Sequence, residues 1–338
     1  MASVSPSAIV AAATSGAAET LIQPFNFATN AQNQLLFFFK PEVFLTGDAA
    51  KSEGIVELAL ACFDAFGVDV AGAMVVSGPR LAELSAMDRH YGFINRISRS
   101  ASTLLSDDEK AAIREKLGVG ARPEGGEAVP VMGGHEFLSR NDNLTPASLD
   151  ALWAKKKSAR IRSGMYTECY NINGQDVVLL NGFHPQQLAH FTDEGRAICM
   201  ILLNSDQPWN ALRARMLGDT FPEKAAPSSL RRVLFENSDK YGLGDVGIAN
   251  NCAHLSAGPF EALFELNNFL SGADSVDFNL GDVSMAKRLA ALGVDEAGIK
   301  KALSNPEAAI NGNSEELFDA TEDQDSASCA ALYARFYN

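Results

Sequence analysis

The chain has 338 residues, 46% of them hydrophobic and 21% charged, with a formal net charge of −14 at pH 7 and a pI near 4.8. That is enough apolar material for one large domain or two modest ones, and the acidic balance argues against a broad nucleic-acid surface, which needs clustered Lys and Arg. A small phosphate-bearing ligand stays open, because a few basic groups in a pocket set a local field that differs from the net charge.

No apolar run reaches the roughly eighteen residues of a membrane span, and stretches such as 35–39 and 197–203 have the length of buried strands. No Lys or Arg precedes Lys40, so the Ala- and Ser-rich stretch 1–33 lacks the early positive charge of a targeting signal and reads as a flexible lead-in. The cysteines Cys62, Cys169, Cys199, Cys252 and Cys329 form no C-x-x-C pair, which fits a reducing cytoplasm and predicts neither a zinc site nor a redox motif.

In chain order, the apolar run QLLFFFK at 34–40 predicts a buried strand stopped by Pro41. Ile55, Leu58, Ala59, Cys62, Phe63 and Phe66 then fall on one helical face over 51–66, and Gly67 stands where the helix ends. A strand at 68–77 and a helix from Pro79 to Tyr91 complete a β-α-β-α start. The stretch 104–173, with Gly and Pro around 118–130 and helices near 107–117 and 146–161, reads as an inserted subdomain. Regular structure resumes with a strand at 176–180, a helix over 185–192, a strong strand at 197–203, and helices over 208–217 and 259–270. From 272 onward the Ala-rich pieces predict a helical extension with a solvated acidic loop at 315–325.

No G-x-x-x-x-G-K-[ST] loop occurs, and Gly118, Gly120, Gly125 and Gly126 lack the spacing of a dinucleotide fingerprint, so a phosphate site has to be assembled from dispersed side chains. The most informative segment runs Asn250-Asn251-Cys252-Ala253-His254-Leu255-Ser256-Ala257-Gly258-Pro259, followed by a helix carrying Glu261 and Glu265. A neutral imidazole is a competent nucleophile near pH 7, and a carboxylate on its other nitrogen fixes the tautomer and stabilises the charged product. Taken alone, a histidine before a helix is more often structural.

This segment resembles the Asn-x-x-His-Gly-Ser-Asp-Ser signature of the nucleoside diphosphate kinase family. Asn251, His254 and Ser256 match, and Glu265 falls where the family has its imidazole-orienting glutamate. Further pieces occur in the family's order: Lys40-Pro41-Glu42, His90-Tyr91, Met216-Leu217-Gly218-Asp219-Thr220, and Pro227-Ser228-Ser229-Leu230-Arg231. The resemblance covers about 34–103 and 174–271. It implies a ferredoxin-like α/β (α+β) fold with an antiparallel sheet, and a ping-pong transfer of phosphate from a nucleoside triphosphate to a nucleoside diphosphate.

In that reading His254 is the phosphorylated nucleophile, oriented by Glu265, with Tyr91 beside it and Lys40 on the transferred group. Thr220, Arg231, Asn251 and Arg215 serve the nucleotide, Phe183 and Leu188 clamp the base, and Mg2+ is held mainly by the nucleotide phosphates. A homo-oligomer is implied as well.

Where the family has Gly, Asp and Ser after the nucleophile, this chain has Leu255, Ala257 and Gly258. The change removes hydrogen-bonding groups, is expected to narrow the pocket at Leu255, and predicts a reduced rate. The family's arginine before Met-x-Gly-x-Thr aligns with Ala214, flanked by Arg213 and Arg215. The competing expectation is a noncatalytic nucleotide-binding or assembly module, with the insertion and the C-terminal part recruiting a partner. A metal site from His184, His190 and Cys199 is a weaker third reading, since their spacing matches no ligand pattern.

Overall fold

The computed structural model describes residues 4–119, 128–172, 174–310 and 313–337. Of the glycines in the Gly-rich stretch, Gly120, Gly125 and Gly126 lie outside the described residues. The strands in chain order are β1 (Glu19–Gln23), β2 (Asn33–Phe39), β3 (Asp69–Ser77), β4 (Val131–Gly133), β5 (Ala159–Arg162), β6 (Met165–Ile172), β7 (Gln175–Leu180), β8 (Ala197–Ser205), β9 (Ala253–Leu255), β10 (Glu307–Ile310) and β11 (Asn313–Glu316). The chain forms two compact units, one from residues 1–84 and 191–338, the other from residues 85–190.

The first unit is built on an antiparallel sheet in the order β1-β3-β8-β2-β9. Leaving out the edge strand β1, the order of β2, β3, β8 and β9 is that of a ferredoxin-like sheet, with the first and third strands at its centre. Every residue of β2 and β8 is buried, as an apolar run covered on both faces should be. Because side chains alternate, Phe37 and Phe39 face one way and Phe38 the other. Phe37 meets Phe63 of the Ala49–Ala65 helix edge-on at 5.0 Å, and Leu230 and Leu234 of the Leu230–Glu236 helix join the same core. On the opposite face Phe38 meets Phe269 of the Pro259–Leu270 helix at 5.9 Å.

The N-terminal stretch departs from the flexible lead-in expected. Ser5 caps a Pro6–Thr14 helix that buries Ile9 and Val10 against the first core, and β1 pairs with the outer edge of β3. Ser followed by Pro at the first helical position is the local signal for this helix start.

The stretch 315–325 is not a solvated loop: Glu316 ends β11, and Leu317 and Thr321 of the Leu317–Thr321 helix are fully buried. The extension after 272 contains the antiparallel pair β10 and β11 besides the Ser284–Ala291, Glu296–Ala302 and Ser326–Tyr337 helices. The helix expected over 146–161 stops at Trp153, and Ala159–Arg162 is strand β5.

The second unit holds a sheet in the order β4-β7-β6-β5, with β4 parallel to β7 and the other pairs antiparallel. Its Gly92–Leu104 helix buries Ile97 and Ala101 in one apolar cluster with Val178 and Leu180 of β7. This unit is wider at both ends than the 104–173 insertion expected, because β7 finds its partners in β4 and β6 rather than in the five-stranded sheet.

Candidate active site

His254 sits on the short strand β9, directly opposite Phe38 in the ladder with β2. Alternation turns its neighbours Ala253 and Leu255 into the core shared with the Ala49–Ala65 helix and turns His254 to the other face. Leu255 therefore narrows no pocket beside His254. The imidazole stacks on Phe38, with ring centroids 4.4 Å apart and an interplanar angle of 18°. Its side chain keeps 19% exposure, whereas Glu265 behind it has none.

Glu265 projects from the Pro259–Leu270 helix and places Oε1 2.6 Å from His254 Nε2. Its Oε2 accepts a hydrogen bond from the Ser256 hydroxyl at 2.5 Å. A buried carboxylate holding Nε2–H leaves the lone pair on Nδ1. Burial pushes the His254 pKa well below the usual imidazole range, and the charges of Lys40, Arg231 and Arg213 push the same way. The ring is therefore neutral near pH 7.

One turn before Glu265, Glu261 accepts the Ala257 N–H at 2.8 Å. Burial first, and then the neighbouring Glu265 carboxylate, raise its pKa to about 8.

Lys40 follows the last residue of β2 and continues the ladder by donating its N–H to the Cys252 carbonyl at 2.9 Å. Its Nζ lies 3.2 Å from the Ala249 carbonyl oxygen. Burial lowers the ammonium pKa to about 8, and the Arg231 charge adds to that while Glu42 opposes it. Glu42 itself accepts the Cys252 N–H at 2.8 Å, holding Cys252 at φ +68°.

Arg231 is only 8% exposed, and its Nη atoms donate to the carbonyls of Gly218 (3.0 Å) and Ala253 (2.8 Å). It thus ties the 218 turn to the strand that carries His254. Its Nε is buried without a hydrogen-bond partner among the described residues. Burial, reinforced by the charge of Arg213, lowers its pKa to about 10.

The expected helix over 208–217 is a short α-turn at Trp209–Ala211 followed by a π-helical turn at Leu212–Leu217, closed by the Gly218 N–H on the Arg213 carbonyl at 2.9 Å. Gly218 is required there, since its φ is +96° and an added Cβ would lie 2.4 Å from Ser229 Oγ. This turn exposes Arg215 to solvent and brings Arg213 toward the residues after His254, 3.4 Å from the Ala257 carbonyl oxygen. Arg213 is thus the arginine that touches the turn after His254.

Asn251 is buried and its Nδ2 spans the carbonyls of Thr220 (3.3 Å) and Ile248 (3.2 Å), while its Oδ1 is buried without a partner among the described residues. The Thr220 side chain is exposed. Two exposed apolar residues on these loops, Phe221 and Ile248, went unnoticed in the sequence. Their signal was an apolar residue inside a Gly-, Asn- and Asp-rich loop.

Lys40, Arg231, Asn251, His254 and Glu265 thus converge in the first unit, whereas Tyr91, Phe183 and Leu188 belong to the second. There Tyr91 lies edge-on to His184, Phe183 packs against Trp153 and Tyr166, and Leu188 is buried. His184 is committed to Gln187 and Asn95 through its two ring nitrogens, and Cys199 is fully buried in β8, which leaves the proposed histidine–cysteine metal site without support.

No protein-family model and no curated protein matches the sequence. Among solved structures, an NDP kinase from Pyrobaculum aerophilum is similar at 14% identity over 72% of this chain and 98% of its own, with a TM-score of 0.33. A nucleoside diphosphate kinase from Encephalitozoon cuniculi (10% identity, 73% and 94% covered) and one from Borrelia burgdorferi with bound vanadate and ADP (13%, 73% and 90%) score the same 0.33. The likeness is a distant structural one. At that score it carries no argument about chemistry, which has to come from the residues. Among the described residues no helix is long and apolar enough to cross a membrane.

Proposed function

We propose that the first unit transfers the terminal phosphate of a nucleoside triphosphate to a nucleoside diphosphate through phosphorylated His254. The observation that carries this reading is the His254–Glu265 pair: a partly exposed imidazole with a fully buried carboxylate 2.6 Å behind it. The Nδ1 lone pair attacks the terminal phosphorus, the bond to the bridging oxygen breaks, and the diphosphate leaves with that electron pair. Nε2–H stays on Glu265, which offsets the positive charge developing on the ring. A second diphosphate reverses the step.

Lys40 and Arg213 are the cations proposed to neutralise the phosphoryl oxygens, since phosphoryl transfer is catalysed mainly by positioning and charge. The nearby carboxylates are already engaged, Glu265 by His254 and Ser256, Glu261 by Ala257, and Glu42 by Cys252. That suits a Mg2+ ion held by the nucleotide's own phosphates, where it would add charge neutralisation. Phe221 and Ile248 offer apolar surface to a base. Roles for Tyr91, Phe183 and Leu188, and a homo-oligomer, rest on the sequence resemblance alone.

The second reading, a noncatalytic nucleotide-binding module, is favoured by one observation: Arg231 spends its Nη atoms on backbone carbonyls. Incubation with magnesium and γ-labelled ATP separates the two. Acid-labile, base-stable label on the wild type and none on His254→Ala, discharged by added GDP, supports the kinase. Nucleotide binding without label overturns it in favour of the binding module.

A further inference from the structure

We propose that Glu322 and Asp323 form a built-in anion that occupies Arg213 and competes with phosphate oxygens for it. This rests on the reading of the His254 region as a phosphate-handling site. Arg213 Nη1 lies 2.6 Å from Glu322 Oε1 and 3.0 Å from Asp323 Oδ1, as close as an arginine holds any oxyanion. The same segment is fastened to the turn after His254, because the Asp323 N–H donates to the Ala257 carbonyl at 2.9 Å.

The turn has the composition this docking requires. An added Cβ on Gly258 would stand 2.7 Å from the Thr321 carbonyl oxygen, so only glycine lets the acidic segment lie there. Ala257 and Gly258 are the two positions where the nucleoside diphosphate kinase signature has Asp and Ser. This chain has small apolar residues at both, and the carboxylates beside Arg213 come from the C-terminal segment.

The anchor and the charges differ in how firmly they are held. Asp325 accepts from the Trp209 N–H (2.8 Å) and from Asn33 Nδ2 (2.9 Å), and Thr321 is fully buried, so the backbone on either side is fixed. The Glu322 and Asp323 side chains are 47% and 49% exposed. Exposed ion pairs are weak, so both carboxylates can swing into water when a more highly charged anion arrives, with no movement of the chain.

The test is the affinity of the full chain for inorganic tripolyphosphate, measured by titration calorimetry at low ionic strength. Glu322→Gln/Asp323→Asn is expected to bind about tenfold tighter than wild type, each single variant falling between, and Arg213→Gln added to the double variant is expected to abolish the gain. Equal or weaker affinity in a double variant that melts like wild type overturns the proposal. So does a gain that survives loss of Arg213, or no binding by any variant. Labelling of His254 by γ-labelled ATP is scored separately, so the kinase can fail with the competition of Glu322 and Asp323 for Arg213 intact, and the reverse.

Discussion

His254 and Glu265 are joined through Nε2 and Oε1 at 2.6 Å, and the carboxylate is sealed from solvent on the far side of the ring. Ser256, two residues after the histidine, holds the other carboxylate oxygen. The orientation of the His254 ring is therefore fixed from its own strand and from the helix behind it, and the consequences are measurable.

Glu265→Gln keeps the shape but not the charge, so Nε2–H loses its anion and the phosphorylated ring its counter-charge. The rate of His254 labelling by γ-labelled ATP is expected to fall about 100-fold, the size of a lost acid–base partner. A change of less than about threefold would remove Glu265 from the chemistry.

The pH profile follows from two displaced groups. Lys40, lowered to about 8 by burial, is cationic below that pH and neutral above it, so labelling is expected to decline as pH rises through about 8. Burial holds the His254 pKa well below the usual imidazole range, so the ring stays unprotonated as pH falls through that range and no acid limb is expected there. In Lys40→Arg the alkaline limb is expected to move up from about 8, since a guanidinium holds its proton more tightly than an ammonium. An alkaline limb at the same pH in that variant would assign it to another group.

Arg231 is predicted to matter more for stability than for phosphate affinity. Arg231→Ala leaves the buried carbonyls of Gly218 and Ala253 without their donor, a loss of about 2–4 kcal/mol in urea unfolding. Little destabilisation together with a large loss of ATP affinity would return the residue to the phosphates.

Gly258→Ala places a methyl group 2.7 Å from the Thr321 carbonyl oxygen and has to push the C-terminal segment off the turn. Hydrogen exchange of the Asp323 amide, which bonds to Ala257, is expected to quicken at least about tenfold, while exchange in β2 and β8 is unchanged. Unchanged exchange at Asp323 would mean that the turn adapts and the glycine is not needed.

Much of this is legible in the sequence. The sequence by itself determined β2, β8 and the Ala49–Ala65 and Pro259–Leu270 helices, because unbroken apolar runs and 3,4-spaced apolar faces are local patterns that each element satisfies within itself. It also singled out His254 and Glu265. The tertiary structure alone decided the rest, where the partners are distant in the chain. β9 is too short to announce itself and exists because β2 supplies its ladder, and nothing local in β7 names β4 and β6 as its partners. Arg213 rather than Arg215 faces the site because a π-turn changes the direction of each side chain, and Arg231 serves carbonyls at 218 and 253 that no local pattern places beside it. Hydrogen bonds and charge pairs between remote residues are set by where the chain returns to itself, and only the folded arrangement contains that information.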